Sequence, residues 1–299
     1  MSLATVCVVG SINADRFVGL EHLPEPGETV LGEALGLHPG GKGFNQAVAA
    51  ARCGAATRMC GAIGDDVEAG FLRGVMEAAG VNGDAVSAVA GASGTAYVFS
   101  LPGGENSIVV ASGANRLVDG EAAAEAARGA DVVLVQLEID PAVARRALES
   151  GRESGALTVL NAAPAHPAAL EMLAFVDVLV VNDGEAEALG GIDALRDAVT
   201  VIRTRGAAGS IVYPLGEEPF EVVAFRIEPV DTTGAGDAFC GGLAAALARG
   251  EALEGAVREG SAAGAIVAQH RGAQTDALSR EAIHRLIGTL QPRPVPPKA

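Results

Sequence analysis

Apolar positions along the chain follow two rhythms. Near-continuous runs at 6–9, 132–137, 157–160, 176–181 and 200–203 are short and rich in Val, Leu and Ile, the pattern of strands buried on both faces. Stretches 45–52, 67–79, 121–127, 142–150 and 185–189 carry apolar residues at helical spacing instead. Such strands separated by helices predict a parallel sheet covered on both faces and joined by right-handed crossovers. The last third adds an extended, hairpin-like pair at 209–213 and 220–225. Helices follow at about 237–248, 252–269 and 280–290.

Two segments, about 16–39 and 84–112, break this rhythm. Both alternate like strands, contain Gly and Pro, and show no helical pattern. They exceed ordinary loops, and long insertions in compact domains often serve as lids. The pair predicts a small β lid, drawn from about 14–39 and 84–112, at the ligand edge of the main sheet. The plain alternative is an antiparallel extension of that sheet. No internal repeat or second core is visible, so 1–291 reads as one α/β domain. Residues 292–299 read as an extended Pro-rich tail.

Composition narrows the function. Of 299 residues 49% are hydrophobic and 19% charged, which allows a large core. No apolar run reaches the roughly 18–20 residues of a membrane span. The N-terminal pattern is that of a first strand rather than a signal peptide, so a cytoplasmic protein is expected. A net charge of −16 argues against broad contact with nucleic acid or anionic membranes. Four cysteines and five histidines show no metal-ligand spacing, and buried free thiols are expected. Only Lys42 and Lys298 are lysines among 21 basic residues. Lys298 lies in the tail, so Lys42 stands alone in a body that otherwise uses arginine. That suits a position needing a compact ammonium on a flexible stem, with chance usage as the plain alternative.

The run Asp231-Thr-Thr-Gly-Ala-Gly-Asp237 precedes an apolar, Ala-rich helix. Gly234 and Gly236 free the backbone to turn where unpaired helix amides can meet an anion. Asp237 adds a carboxylate there, which suits a substrate hydroxyl that must lose its proton toward a phosphate. A plain helix start with a favourable Asp is the simpler reading. Residues 36–42 nearly form a P-loop, but Gly43 stands where Ser or Thr would ligate magnesium, and Pro39 interrupts the amides. Gly40–Gly43 instead offers amides beside Lys42, and Asn45 and Gln46 add neutral donors and acceptors suited to sugar hydroxyls. Asn13 and Asp15 alternate just past the first strand, where α/β sheets bind ligands, and could grip adjacent hydroxyls. Glu138 follows another strand. Asn182 and Glu185 could hold metal-bound waters, or could simply form a capping box.

These signals occur in one order: Asn13-Ala-Asp15, Gly40-Gly-Lys-Gly-Phe-Asn-Gln-Ala, Gln136-Leu-Glu138, Asn182 with Glu185, and the run ending at Asp237. The order resembles the ribokinase-like (PfkB) carbohydrate kinases, and most of all their ribokinase branch, over about residues 5–275. The resemblance implies a three-layer α/β sandwich with a mostly parallel central sheet, plus a β lid that often forms a homodimer contact. It implies transfer of the ATP γ-phosphoryl group to a primary sugar hydroxyl, D-ribose at its 5-hydroxyl being the leading acceptor. By motif, Asp237 matches the base, and the amides of Gly234, Ala235 and Gly236 match the anion hole. Asn13, Asp15, Gly41, Lys42, Asn45 and Glu138 match sugar-side positions; Ala96, Val98 and Val110 match apolar lid positions. Asn182 and Glu185 match the Mg2+ and phosphate motif, and Thr204 and Gly206 the nucleotide loop. Asp231, Thr233, Gly272 and Asp276 match the surroundings of an activating K+.

The chain departs from the pattern in places. Thr204 follows Asn182 at a spacing of only 22, which implies a turn or more deleted beside the nucleotide pocket. Ala162 and Val181 stand where Pro is common, and His270 replaces a usual basic residue. A kinase for a nucleoside, fructose or a 2-keto-3-deoxy sugar acid remains open, as does a non-catalytic sugar- or nucleotide-binding regulator.

Overall fold

The Val- and Leu-rich runs form the centre of a nine-stranded sheet. Its parallel strands are β1 (Thr5–Val9), β4 (Ala56–Ile63), β5 (Asn82–Ala88), β8 (Val132–Gln136), β9 (Leu157–Asn161), β10 (Val178–Asn182) and β11 (Thr200–Thr204). The hairpin β12 (Ser210–Tyr213) and β13 (Phe220–Val222) closes one edge antiparallel. The spatial order is β13-β12-β11-β10-β9-β8-β1-β4-β5. A second sheet, in the order β3-β2-β6-β7, comprises β2 (Asn13–Gly19), β3 (Glu33–Gly40), β6 (Thr95–Ser100) and β7 (Asn106–Ala111). The computed structural model describes residues 3–103 and 105–289. The expected tail at 292–299, with Lys298, lies outside the described residues.

Among the described residues, ten helices cover the large sheet. Alternation along each strand divides the core in two. Val6, Val8, Leu134, Val159 and Val180 face α1 (Lys42–Arg52), α2 (Val67–Ala78), α8 (Ala235–Ala248), α9 (Leu253–Val267) and α10 (Arg280–Gly288). Cys7, Val9, Val135, Leu160 and Val181 face α3 (Gly120–Ala127), α4 (Pro141–Glu153), α5 (Ala168–Met172), α6 (Asp183–Ala188) and α7 (Ile192–Arg196). The result is the α/β sandwich with a separate small β-sheet, and apart from 84–88 the lid segments do not extend the main sheet.

Three boundaries differ from the sequence pattern. Segment 84–88 belongs to β5, which pairs with β4 in the large sheet, so the second lid portion begins only at β6. The helix read as 45–52 starts at Lys42, because Gly41, at φ 86°, turns the chain directly out of β3. The extended stretch after β12 keeps sheet pairing only through Val222. All four cysteines are buried and free. No helix among the described residues is long and apolar enough to cross a membrane.

Candidate active site

The strand register builds the floor of the site. Gln136 at the end of β8 pairs with Asn161 at the end of β9, and Asn182 at the end of β10 pairs with Thr204 at the end of β11. By period-two alternation these polar ends share the face covered by α1 and α8. The short connection from Asn182 to Thr204 thus leaves both in register. Gly43 lets α1 approach β1: a Cβ there would lie 2.7 Å from the Gly10 carbonyl carbon and the Ser11 nitrogen. α1 and α8 therefore bring Lys42, Asn45, Gln46 and Asp237 over the strand ends.

A cleft of about 160 Å³ opens here, lined by Lys42, Asn161, Asn182, Glu185, Thr204, Gly234, Gly236 and Asp237 among others. Whole small-molecule sites usually enclose roughly 300–1,000 Å³, so this cleft is a meeting point and not a complete site. Asp237, in the first turn of α8, is 8% exposed. Its Oδ2 accepts from Asn45 Nδ2 at 3.2 Å and its Oδ1 from Gln46 Nε2 at 3.0 Å. Burial raises its pKa, against the opposing pull of Lys42 and the two amides. Asn45 is held from behind by Gln274, whose Nε2 donates to Asn45 Oδ1 at 3.0 Å. Gln46, expected to offer groups to a ligand, is fully buried and turned to Asp237 and Asn161.

Lys42 carries positive charge into the middle of the site. Burial acts to lower its pKa, but Asp237, Glu138, Glu185 and Cys240 outweigh it and the net shift is upward. Glu138 is fixed from two directions: Ser11 Oγ donates to its Oε2 at 2.6 Å and the Lys42 amide at 3.0 Å. Asp15 leaves β2 toward the same region. Burial pushes its carboxyl up to about 7, the Ala96 amide opposes the rise, and the charges of Glu138 and Asp237 add to it. Its Oδ1 is buried without a hydrogen-bond partner. Asn13 is 3% exposed, and its Oδ1 accepts from Asn115 Nδ2 at 2.7 Å, which fixes its orientation. Of the lid residues, Ala96 and Val98 are buried, whereas Val110, paired with Ala96 across the strands, is 52% exposed.

The other side of the cleft suits anions. α8 begins at Gly234 in the left-handed region, φ 73°, with no side-chain cap. The Ala235 amide donates to the Thr232 carbonyl at 3.2 Å, so it is partly engaged in the turn. The amides of Gly236 and Asp237 have no hydrogen-bond partner among the described residues, as an anion site at a helix start requires. Asn182 and Glu185 do form a capping box, with both reciprocal bonds at 2.8 Å. The box holds Glu185 at the cleft wall, and burial raises its pKa while the Asn182 amide and Lys42 pull the other way. Gly206 starts the short turn Gly206–Ala208 beyond Thr204 and does not line the cleft.

Asp231 joins two loops: its Oδ1 accepts from the Thr233 amide and its Oδ2 from the Gly272 amide, both at 2.9 Å. Burial works against its charge, but these bonds prevail and hold its pKa below the usual carboxylate value. Asp231, Thr233 and Gly272, three of the residues expected around a monovalent cation, thus come together. The Asp276 carboxylate is exposed and paired with Arg52. No cluster of three or more His, Cys, Asp or Glu side chains able to hold a metal occurs among the described residues. Sequence reasoning gave no site role to Ser11, Asn115, Asn161 or Gln274. Each acts through a partner far along the chain, and only the fold reveals the pairing.

The geometry has close counterparts. The family model for pfkB family carbohydrate kinases matches residues 3–280. A ribokinase from Bacillus subtilis is 35% identical over 95% of this chain and 100% of its own length. A ribokinase from Haemophilus influenzae is 34% identical over 93% of this chain and 96% of its own. The structure of Arabidopsis thaliana ribokinase complexed with ribose and ATP superposes with a TM-score of 0.85, at 30% identity, covering 96% of this chain and 99% of that one. A site pairing a buried carboxylate with free helix amides thus sits in a chain similar to these enzymes along nearly its whole length. The chain belongs to the pfkB family of carbohydrate kinases, phosphotransferases that act on an alcohol group.

Proposed function

We propose that the chain transfers the γ-phosphoryl group of ATP to the 5-hydroxyl of D-ribose, giving D-ribose 5-phosphate and ADP. The observation that carries this reading is Asp237 itself. It is buried, oriented by Asn45 and Gln46, and placed in the turn that carries the two free amides and lines the same cleft. Asp237 removes the hydroxyl proton as the sugar oxygen bonds to the γ-phosphorus and the bond to the ADP oxygen breaks. Charge spreading over the transferring group meets the Gly236 and Asp237 amides and Lys42, with Gly234 and Ala235 shaping the turn.

On the acceptor side, Asp15 and Asn13 take neighbouring sugar hydroxyls, Glu138 takes another, and Gly41 and Asn45 line the approach. Ala96, Val98 and Val110 cover the sugar from the lid and exclude water, which would otherwise compete for the phosphoryl group. On the nucleotide side, Asn182 and Glu185 would hold the waters of Mg2+, while Thr204 and Gly206 border the nucleotide. Mg2+ held there would supply charge neutralisation at the phosphates. K+, where bound, would be held beside Asp231 by the loops of Thr233 and Gly272 and would supply positive charge near the helix start. Asp276, held by Arg52, only borders that loop. Pairing of lids gives a homodimer, favoured by the exposed Leu31, Leu35, Ile108 and Val109. Use of ATP and four buried free thiols agree with a cytoplasmic enzyme.

The test is ADP formation from ATP and Mg2+ across D-ribose, 2-deoxy-D-ribose, D-fructose, a 2-keto-3-deoxy sugar acid and nucleosides, with and without K+. D-ribose should give the highest kcat/KM, with slow hydrolysis in the absence of sugar. A higher value for another acceptor overturns the ribose assignment, and no acceptor-dependent turnover at all leaves only a binding role.

A further inference from the structure

Gln46 has no ligand-facing surface, yet it touches the carboxylate at the centre of the site. It is fully buried in α1, and its single Nε2 reaches two acceptors, Asp237 Oδ1 at 3.0 Å and Asn161 Oδ1 at 3.1 Å. Asn161 in turn donates its Nδ2 to the Val180 carbonyl at 3.3 Å. That last bond fixes the direction of the whole chain. A main-chain carbonyl can only accept, so Asn161 presents its oxygen to Gln46, and Gln46 must present its NH2 to both neighbours. The polarity set by the sheet backbone thus ends as a donor aimed at Asp237. The arrangement is kept at a local cost: Gln46 Oε1 and both amide atoms of the adjacent Gln136 are buried without partners. Departures from hydrogen-bond satisfaction of this kind concentrate where function demands a fixed geometry.

We propose that Gln46, anchored through Asn161 to β10, is a positioning residue for phosphoryl transfer: it locks the Asp237 carboxylate in the rotamer that faces the acceptor hydroxyl and favours its ionised form. The inference rests on Asp237 acting as the base. A donor at Oδ1 stabilises the carboxylate over an acid protonated at that oxygen, so the proton is directed to Oδ2, where the longer bond from Asn45 yields more readily. The amide is neutral, so it orients the base without cancelling its charge as an arginine or lysine would. The other charged groups facing Asp237 are Lys42 from α1, Glu138 past β8, Asp15 from β2 and Glu185 from α6, and all remain when Gln46 is changed.

The experiment compares Gln46→Met, Gln46→Glu and Asp237→Asn with the parent enzyme, using steady-state kinetics over pH 5.5–9 and thermal melting. Gln46→Met should lower kcat by about 10- to 100-fold while KM for sugar and for ATP stays within about threefold, because misplacement of a reacting group costs turnover. The acid limb of its kcat profile should move to higher pH. Gln46→Glu keeps size and shape but puts an oxygen against Oδ1, so its loss at neutral pH should be at least as large; it carries the test where Gln46→Met fails to fold. A folded Gln46→Glu with parental kcat and an unmoved acid limb, or loss confined to KM, overturns the positioning role. Asp237→Asn separates the two readings. If it retains near-normal turnover, the base assignment itself fails, whereas an inactive Asp237→Asn beside a normal Gln46→Glu sinks only the role of Gln46.

Discussion

Gln274 donates to Asn45 Oδ1 at 3.0 Å, and Asn45 passes that constraint on to Asp237 through its own amide. Gln274 sits two residues past Gly272, whose amide is held by Asp231. The loop proposed to border K+ is therefore tied through two side chains to the proposed base. Replacing Gln274 with Leu removes one neutral hydrogen bond, worth about 1 kcal/mol, and should lower kcat about fivefold. It should also shrink the stimulation by K+. Steady-state kinetics with and without K+ check this, and an unchanged kcat would mean that α1 alone holds Asn45.

Asp15 makes sugar binding depend on pH. Its carboxyl titrates at about 7 in the folded protein, so an ionised acceptor for two hydroxyls becomes available only as pH rises through that value. KM for the sugar should fall between pH 6 and 8, and Asp15→Asn should flatten the profile and raise KM by about 10- to 100-fold, as expected for loss of a charged hydrogen bond.

The same group sets a stability trend of opposite sign. A carboxyl whose folded pKa is raised from 3.8 to about 7 favours folding below the lower value, and that contribution is lost as pH rises through the higher one. Without sugar, Asp15→Asn should therefore be more stable than the parent at pH 8 by roughly 1–3 kcal/mol, with the gap closing toward pH 4. Thermal melts at the two pH values measure it; a gap that widens at low pH contradicts the assignment.

Gly94 lets the lid meet the body at the sugar side. A Cβ there would lie 2.2 Å from both Asn13 Oδ1 and Asn115 Nδ2, inside the bond that orients Asn13. Gly94→Ala should destabilise the protein by about 1–3 kcal/mol and weaken sugar binding more than ATP binding. Melting curves and separate binding titrations of the two ligands check the asymmetry.

The chain's pattern exposes much of this structure before any fold is built. The buried parallel strands are legible because their Val- and Leu-rich runs need cover on both faces, as at 132–137 and 157–160. Two strands are not. β4 contains Thr57, Arg58 and Gly61, and β5 contains Asn82, Gly83 and Asp84, so neither shows a clean apolar run. In the sequence pattern the end of β5 consequently groups with the lid. At the site, glycine-marked turns and polar residues past strand ends point to Asn13, Asp15, Glu138 and Asp237. What stays hidden is which groups hold them. Ser11 and Glu138 are 127 positions apart, and Asn45 and Gln274 are 229 apart. No local spacing encodes such pairings. Gln46 shows the consequence: its place at a helix start suggests a ligand contact, while the packing of α1 on α8 turns it inward.

Asp237→Asn tests the central claim most directly. The substitution keeps the shape and burial of the side chain but removes its ability to take a proton. Sugar-dependent ADP formation should fall by at least about 10²- to 10⁴-fold, the usual contribution of a positioned base. Calorimetric titration with D-ribose should still give affinity within a few-fold of the parent. Turnover near the parental value, with binding intact, would contradict the assignment of Asp237 as the base.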